Sequence, residues 1–257
     1  MENQQNDTTA SERSAHAMPG TATTMTASGS FSAGAVISRT IETLMKNPVV
    51  FFGLSIAASL LPLLFTFVLP ASSGTMLFTA VLGFVLGLVI QGAVAYTVYQ
   101  ILIGKNASIG DSVQRGLARA MPVFIASVLA GVGVMLGMVL LVVPGLILIC
   151  MWYVAIPVCV VEKKGALDSL QRSAYLTKGN RLLIFGLVVL VGIVILIING
   201  LTALIFIPLL GSVGQVLLYL FGAVPQAFSA VMTAIIYYEL RCVKDGVTLD
   251  SLADVFD

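Results

Sequence analysis

Charged side chains are scarce in this chain, and seven of them fall within one stretch, EKKGALDSLQRSAYLTKGNR at 162–181. Near an anionic leaflet each basic side chain contributes about 1 kcal/mol of attraction to phospholipid headgroups. The pattern therefore predicts contact with anionic headgroups on the cytoplasmic side, although membrane topology alone also places cations there. The predicted contact residues are Lys163, Lys164, Arg172, Lys178 and Arg181, together with Arg115 from an earlier stretch.

Few groups in the chain are suited to catalysis or metal binding. The single histidine, His16, lies in the N-terminal tail, and the three cysteines form no CxxC or Cys/His cluster. No carboxylate pair lies inside an apolar segment, so acid–base catalysis within the membrane lacks its groups. Catalysis without histidine would need Glu162, Asp168 and Arg172 to meet in a deep pocket. We therefore predict a protein that is not an enzyme and that takes no cofactor or metal.

Three amide side chains, Gln91, Asn199 and Gln226, lie inside long apolar segments. An amide in hydrocarbon usually forms a hydrogen bond with a neighbouring helix, so the structural interpretation is favoured over a substrate contact. The alternative is that these amides are the polar groups of a cavity. A continuous polar cavity would favour transport, whereas a closed bundle with the amides paired between helices would favour a scaffold.

The overall composition indicates an integral membrane protein. Of the 257 residues, 58% are hydrophobic and 10% are charged, whereas a soluble domain carries about 25% charged residues. The formal net charge of +1 gives no reason to expect nucleic acid as a partner.

Six apolar segments approach the roughly 20 helical residues that cross a bilayer core. The stretch 122–161 would be about 60 Å long as one helix, so it is split, and Pro144-Gly145 is the predicted turn. Pro62, Pro157 and Pro225 are expected to kink or interrupt their segments. The segments are 49–69, 76–103, 122–143, 146–161, 182–207 and 216–238.

The positions of lysine and arginine predict the topology. Beyond the tail, these residues occur only before the first segment and after the second, fourth and sixth. The connections at 70–75, 144–145 and 208–214 carry no charge of either sign. The positive-inside rule then places both termini in the cytoplasm, and we predict a location in the bacterial inner membrane.

The charged stretches have the periodicity of amphipathic surface helices at 33–46, 108–120 and 162–181, as shown by Ile109, Val113 and Leu117. The sequence DSVQRG at 111–116 returns as DSLQRS at 168–173, 57 residues later, and VISRT at 36–40 matches more weakly. We therefore predict an all-α membrane protein of three parallel repeats, each a surface helix followed by a transmembrane hairpin.

Three regions follow from these patterns. Residues 1–31 are predicted to be a disordered, Ser/Thr-rich cytoplasmic tail, because they cannot bury enough apolar surface to offset chain entropy. Residues 32–245 form the membrane domain, and 246–257 form a short acidic cytoplasmic tail.

The run WYVAIPVCVVEKKGALDSLQRSAYLTKGNRLLIFG at 152–186 resembles a signature of a bacterial family of six-span membrane proteins. That family is named for the membrane domain attached to some glycerophosphoryl diester phosphodiesterases. The resemblance implies six spans and a role in the envelope or in lipid handling. It implies no catalysis, because this chain has no phosphodiesterase barrel. The matching positions are Trp152, Pro157, Glu162, Leu170, Arg172, Ser173, Lys178 and Gly179.

Two functions are compatible with these features of the sequence. The first is a non-enzymatic inner-membrane protein that supports envelope integrity, lipid handling or membrane-protein assembly. The alternative is a transporter or facilitator of a lipid or an apolar small molecule. The expected partners are membrane phospholipids, with a second copy of the chain or another membrane protein as a further candidate. Two GxxxG pairs, Gly83/Gly87 and Gly133/Gly137, indicate close helix contacts within or between chains.

Overall fold

The computed structural model describes residues 31–70, 72–105 and 108–246, and these residues are almost entirely helical with no β-strand among them. The tails predicted at 1–31 and 246–257 lie outside the described residues, apart from Phe31 and Gly246. The helices are α1 (Ala33–Lys46), α2 (Pro48–Val68), α3 (Ser73–Leu102), α4 (Ile109–Ala118), α5 (Ala120–Leu140), α6 (Val142–Trp152), α7 (Ala155–Val161), α8 (Ala166–Thr177) and α9 (Arg181–Asp245).

Within this described part, five helical stretches are long and apolar enough to cross a membrane. Helices α6 and α7 together make one of them, interrupted after Trp152, with Pro157 in the first turn of α7. The protein is therefore a helical, multi-pass membrane protein. The stretches are Pro48–Val68, Ser73–Leu102, Ala120–Leu140, Val142–Val161 and Arg181–Asp245.

Helix α9 folds back on itself at Gly211. A straight helix of 65 residues would be about 98 Å long. Gly211 instead has φ 53° and ψ −122°, a conformation open to glycine, and the rings of Phe206 and Phe221 lie 5.5 Å apart. Those residues would be about 22 Å apart along a straight helix. We call 181–210 the first arm of α9 and 212–245 the second arm.

The turn between α5 and α6 lies at Leu141, so the predicted turn at Pro144-Gly145 is wrong. Leu141 is extended, with φ −162° and ψ 142°, and Pro144 lies in the first turn of α6. Proline fits there because the first helical N–H groups have no intrahelical acceptor.

The Gly133/Gly137 pair makes its close approach within the chain. A Cβ on Gly133 would lie 2.5 Å from the Trp152 ring, and one on Gly137 would lie 3.0 Å from the Cα of Gly145. Helices α5 and α6 therefore pack closely because these glycines carry no side chain.

The short helices pack through small residues and hydroxyl groups. In α4, Ser112 and Gly116 are buried against α3, and the Thr97 hydroxyl donates to the Ser112 Oγ at 2.8 Å. By contrast, Ile109 and Leu117 of the predicted apolar face are 43% and 59% exposed. The face with small side chains packs on the protein because it lets the two backbones approach closely. The apolar residues are left on the outer side of α4, which suits a helix at a membrane interface.

The core surrounds the second arm of α9. Ile235, Ile236 and Leu240 are fully buried, and they cluster with residues from α2, α3, α7 and α8, including Phe51 and Val98. Helix α1 packs on the same arm, α4 on α3, and α8 on α6 and α7. The second arm, which ends the described chain, therefore packs with α1, which begins it, in one bundle.

Candidate functional site

A cavity of about 460 Å³ lies between α3 and the two arms of α9. Gln91 of α3, Asn199 of the first arm and Gln226 of the second arm all line it, with Ser229 beside them. These are the three amides that the sequence offered as cavity groups. The cavity depends on the reversal at Gly211, because that reversal brings Asn199 and Gln226 to the same place.

The three amides lie deep within their helical segments. At 1.5 Å per residue, Gln91 is about 16 Å from the end of α3 at Leu102, and Asn199 is about 16 Å from the end of its arm. Gln226 is about 22 Å from Gly211 along the second arm. Half the thickness of a hydrocarbon core is about 15 Å, so each amide is far enough from the end of its segment to reach the middle of a bilayer that the segment crosses.

The amide side chains of Gln91, Asn199 and Gln226 have no hydrogen-bond partner among the residues that the structure describes. The prediction that they pair with neighbouring helices is therefore wrong for this part of the chain. All three side chains are partly exposed, so their amide groups are open to the cavity. The cavity thus presents amide donors and acceptors that a ligand or water would satisfy.

Small residues and prolines make room for this space. A Cβ on Gly87 would meet the Gln226 amide nitrogen at 3.9 Å, and one on Gly83 would meet the Pro62 ring at 3.7 Å. The Gly83/Gly87 pair therefore faces α2 and the second arm of α9 at ordinary contact distance, and it also lines the cavity. Pro225 lines the same cavity from the second arm.

A second cavity of about 500 Å³ adjoins the first and shares Gly83, Gly222 and Gln226 with it. Its other lining residues include Ser59 of α2 and Tyr219 of the second arm. Each cavity falls within the size range of small-molecule sites, about 300–1,000 Å³.

A network of charged groups lies where α7, α8 and the end of α9 meet. Glu162 accepts hydrogen bonds from Arg172 Nε and from the Tyr237 hydroxyl, both at 3.2 Å, and its other oxygen lies 3.0 Å from Lys164 Nζ. Arg172 also pairs with Asp245. Burial works to lower the pKa of Arg172, but the hydrogen bond to Asp245 and the charge of Glu162 outweigh it and raise that pKa. The guanidinium therefore stays charged and joins α8 to α9.

A separate ion pair, between Arg39 and Glu239, joins α1 to the second arm. The Glu239 side chain is only 8% exposed and that of Arg39 is 19% exposed. A buried carboxylate needs such a partner, because moving an ion from water into a protein interior costs about several kcal/mol of free energy.

The six predicted headgroup residues differ in their surroundings. Arg172 and Lys164 pair with Glu162, whereas Lys163 and Lys178 are exposed. Arg115 lies 5.4 Å from the centroid of the Tyr96 ring. Arg181 donates to a backbone carbonyl of α8 at 3.5 Å.

The structure brings only two members of the conceivable catalytic cluster together. Glu162 and Arg172 are in contact, and Asp168 is exposed. Over the described ranges, no three His, Cys, Asp or Glu side chains are grouped as a metal site would require.

Comparison of the chain with protein-family models, with curated proteins and with solved structures finds no match. The class of the protein therefore follows from its own structure. It is a multi-pass helical membrane protein with an open, amide-bearing cavity between α3 and the two arms of α9 and a charged network at one end.

Proposed function

We propose that the protein is a facilitator that binds a lipid or an apolar small molecule inside the membrane and lets it pass between the helices. The observation that carries this proposal is that Gln91, Asn199 and Gln226 line one cavity without hydrogen-bond partners among the described residues. The scaffold expected first from the sequence would pair these amides between helices. Transport, the alternative, is the function that this arrangement supports.

The walls of the cavity define the chemistry of its ligand. Phe84, Leu88 and Ile195 supply apolar surface, and the amides supply donors and acceptors at a few points. None of the described residues that line the cavity is charged. A charged ligand group would lose its hydration there without gaining a counter-charge. The ligand group at the amides is therefore an uncharged polar group, such as an ester, a hydroxyl or an amide.

We also propose that the chain crosses the bacterial inner membrane six times with both termini in the cytoplasm. The fold-back at Gly211 supports six crossings, because it turns one long helical stretch into two arms. The charge-free connections and the placement of lysine and arginine support the orientation. Membership of the six-span family suggested by 152–186 is part of the same proposal.

The three-repeat layout has support in the burial pattern of the short helices. Aligning Arg39, Arg115 and Arg172 brings Thr40, Gly116 and Ser173 into register. Thr40, Gly116 and Ser173 are all buried. Helix α4 packs on α3, and α8 packs on α6 and α7, so each packs on helices that precede it in the chain. Helix α1, the first of the described helices, packs instead on α9, the last of them.

Lipid passage can be measured in proteoliposomes that carry an uncharged glycolipid, monoglucosyldiacylglycerol, labelled on its acyl chain with a nitrobenzoxadiazole fluorophore. External dithionite bleaches only the label in the outer leaflet. Label from the inner leaflet is bleached only if the protein moves it to the outer leaflet. We expect the natural protein to expose inner-leaflet label and Gln91→Leu with Gln226→Leu to slow this exposure about tenfold or more, because two hydrogen-bonding groups are lost.

The matched control is Gln114→Leu with Gln171→Leu, two exposed amides on α4 and α8. This pair should leave the rate close to that of the natural protein. Bleaching no faster than in protein-free liposomes, or equal rates in both double variants, would contradict the proposed function.

A further inference from the structure

The amide-lined cavity and the second cavity follow the same two helices. They share three lining residues, and both are bounded by α3 and by the second arm of α9. Their lining residues run from Thr79 to Gln91 on α3 and from Leu218 to Ala230 on the second arm. At 1.5 Å per residue, each of these stretches is about 18 Å long. We call the two adjoining cavities together the trough.

The polar groups that are open to a ligand are concentrated toward one end of the trough. Gln91 and Asn199 line the amide-lined cavity, and Gln226 lies where the two cavities meet. In the second cavity, the hydroxyls of Ser59 and Thr79 donate to carbonyls of their own helices, at 2.8 Å and 3.0 Å. Their protons are therefore already used, and the amides remain as the main donors.

The other end of the trough has a mostly apolar wall, supplied by Ala58, Pro62, Ala80 and Leu218. Tyr219 also lies at this end, and its hydroxyl has no hydrogen-bond partner in the part of the chain that the structure describes. Tyrosine is enriched at membrane–water interfaces, where its ring stays in apolar surroundings and its hydroxyl meets water. The trough therefore runs from the amides along an apolar wall to a residue typical of an interface.

The connection between the two cavities depends on a residue without a side chain. Gly222 lines both cavities, and a Cβ at this position would meet no atom within 4 Å. Gly83 of α3 also lines both. A larger side chain at Gly222 would occupy the junction without displacing any neighbouring atom.

The trough is open to the surroundings of the bundle and has the length of a lipid chain. Phe84, which lines the amide-lined cavity, is 52% exposed, so lipid around the protein has access to the trough from the side. One lipid chain covers half the thickness of a hydrocarbon core, about 15 Å. The trough, at about 18 Å, is long enough to hold such a chain along its whole length.

We propose that the trough binds one hydrocarbon chain of a lipid, with the uncharged polar group of that lipid at the amides and the chain extending past Gly222 toward Tyr219. This inference rests on the proposed function and names its substrate class as a lipid rather than a compact apolar molecule. A compact molecule would fill one cavity and leave the other empty, whereas a lipid chain matches the length of both.

The test uses the full chain in detergent with two long-chain monoacylglycerols, which are uncharged. One carries a photoactivatable diazirine at the end of its chain, and the other carries the diazirine next to its ester. After illumination, proteolysis and mass spectrometry identify the modified residues. The chain-end probe should modify Pro62 or Tyr219, and the ester-end probe should modify Asn199 or Gln226. The same pattern from both probes, or modification spread over the exposed residues of α5, would overturn the proposal.

Gly222→Leu should lower modification of Pro62 and Tyr219 by the chain-end probe about tenfold, because overfilling a packed space costs free energy of that order. The passage of the labelled glycolipid should slow by a similar factor. The thermal midpoint should be equal to or above that of the natural protein, because the added side chain has room and leucine favours a helix more than glycine does. Full modification of Pro62 and Tyr219 in this variant would contradict a chain path past Gly222.

Gly186→Leu is the matched control. Gly186 lies in the same helix, is exposed and lines neither cavity, and a Cβ there also meets no atom within 4 Å. This variant should match the natural protein in both photolabelling and passage. Equal losses in Gly186→Leu and Gly222→Leu would count against the trough, because added bulk anywhere on α9 would then have the same effect.

The glycolipid assay separates failure of this inference from failure of the proposed function. If passage depends on Gln91 and Gln226 but the chain-end probe leaves Pro62 and Tyr219 unmodified, the chain lies outside the trough. That result would overturn the inference and leave the proposed function standing. If Gly222→Leu prevents modification but the natural protein passes no glycolipid, the trough is a lipid-binding site and only the proposed passage is wrong.

Discussion

Glu239→Gln is expected to lower the free energy of unfolding by about 3–5 kcal/mol, because it leaves the positive charge of Arg39 partly buried without its counter-ion. The pair joins α1 to the second arm of α9, and both side chains are largely shielded from solvent. The loss should therefore appear as a lower thermal midpoint of the purified protein in detergent, with early release of α1.

Glu42→Gln is the matched control for this substitution. Glu42 pairs with Lys46 at 2.8 Å one helical turn away, but both side chains are about half exposed, at 47% and 55%. An exposed pair of this kind contributes about 0–1 kcal/mol. The double variant Arg39→Gln with Glu239→Gln should recover much of the loss, since no unpaired charge remains. Similar costs for Glu239→Gln and Glu42→Gln would show that the Arg39–Glu239 pair is not buried.

Gly214→Ala is expected to cost about 3 kcal/mol or more, because the added methyl group overlaps the main chain of the first arm. A Cβ at Gly214 would lie 2.6 Å from the Phe206 carbonyl carbon, and a backbone cannot move aside as a flexible side chain can. The arms of α9 would have to separate, and the amide-lined cavity between them would change shape. Unfolding in detergent measures the stability, and the lipid-passage assay measures the cavity.

Gly200→Ala is the control in the same helix. A Cβ there meets nothing within 4 Å, and alanine is favoured over glycine in a helix by about 1 kcal/mol. This variant should be as stable as the natural protein or more stable. If Gly214→Ala behaved in the same way, the two arms would not be in contact at Phe206.

The membrane class of the protein could be predicted from composition, and local signals located most elements. Helix α1 spans 33–46, as its periodicity indicated. The turn at Leu141 could not be predicted, because Pro144 suits both a turn and the first turn of a helix. The exposure of Ile109 and Leu117 could not be predicted from the sequence either. Periodicity identifies an apolar face but does not say which face packs on the protein.

The candidate site was only partly visible in the sequence. A polar residue in an apolar segment is conspicuous, so Gln91, Asn199 and Gln226 could be singled out. Their convergence depends on packing between α3 and both arms of α9, for which a single sequence holds no local signal. The contact of Arg172 with Asp245 spans 73 residues along the chain. It was missed because charge clustering predicts a headgroup contact equally well.

Thiol labelling tests the central claim, that Asn199 lines a water-accessible cavity between α3 and the two arms of α9. Asn199→Cys would be compared with Leu196→Cys, which lies about one turn away and is 72% exposed on the outside of the bundle. The natural Cys150, Cys159 and Cys242 are first replaced by alanine.

A small, water-soluble methanethiosulfonate reagent is then added to intact membranes, and the modified fraction is measured by mass spectrometry. We predict that Asn199→Cys reacts, because water reaches the cavity, and that Leu196→Cys does not, because lipid surrounds it. An Asn199→Cys thiol that reacts only after the protein is unfolded would contradict the cavity and the proposed function with it.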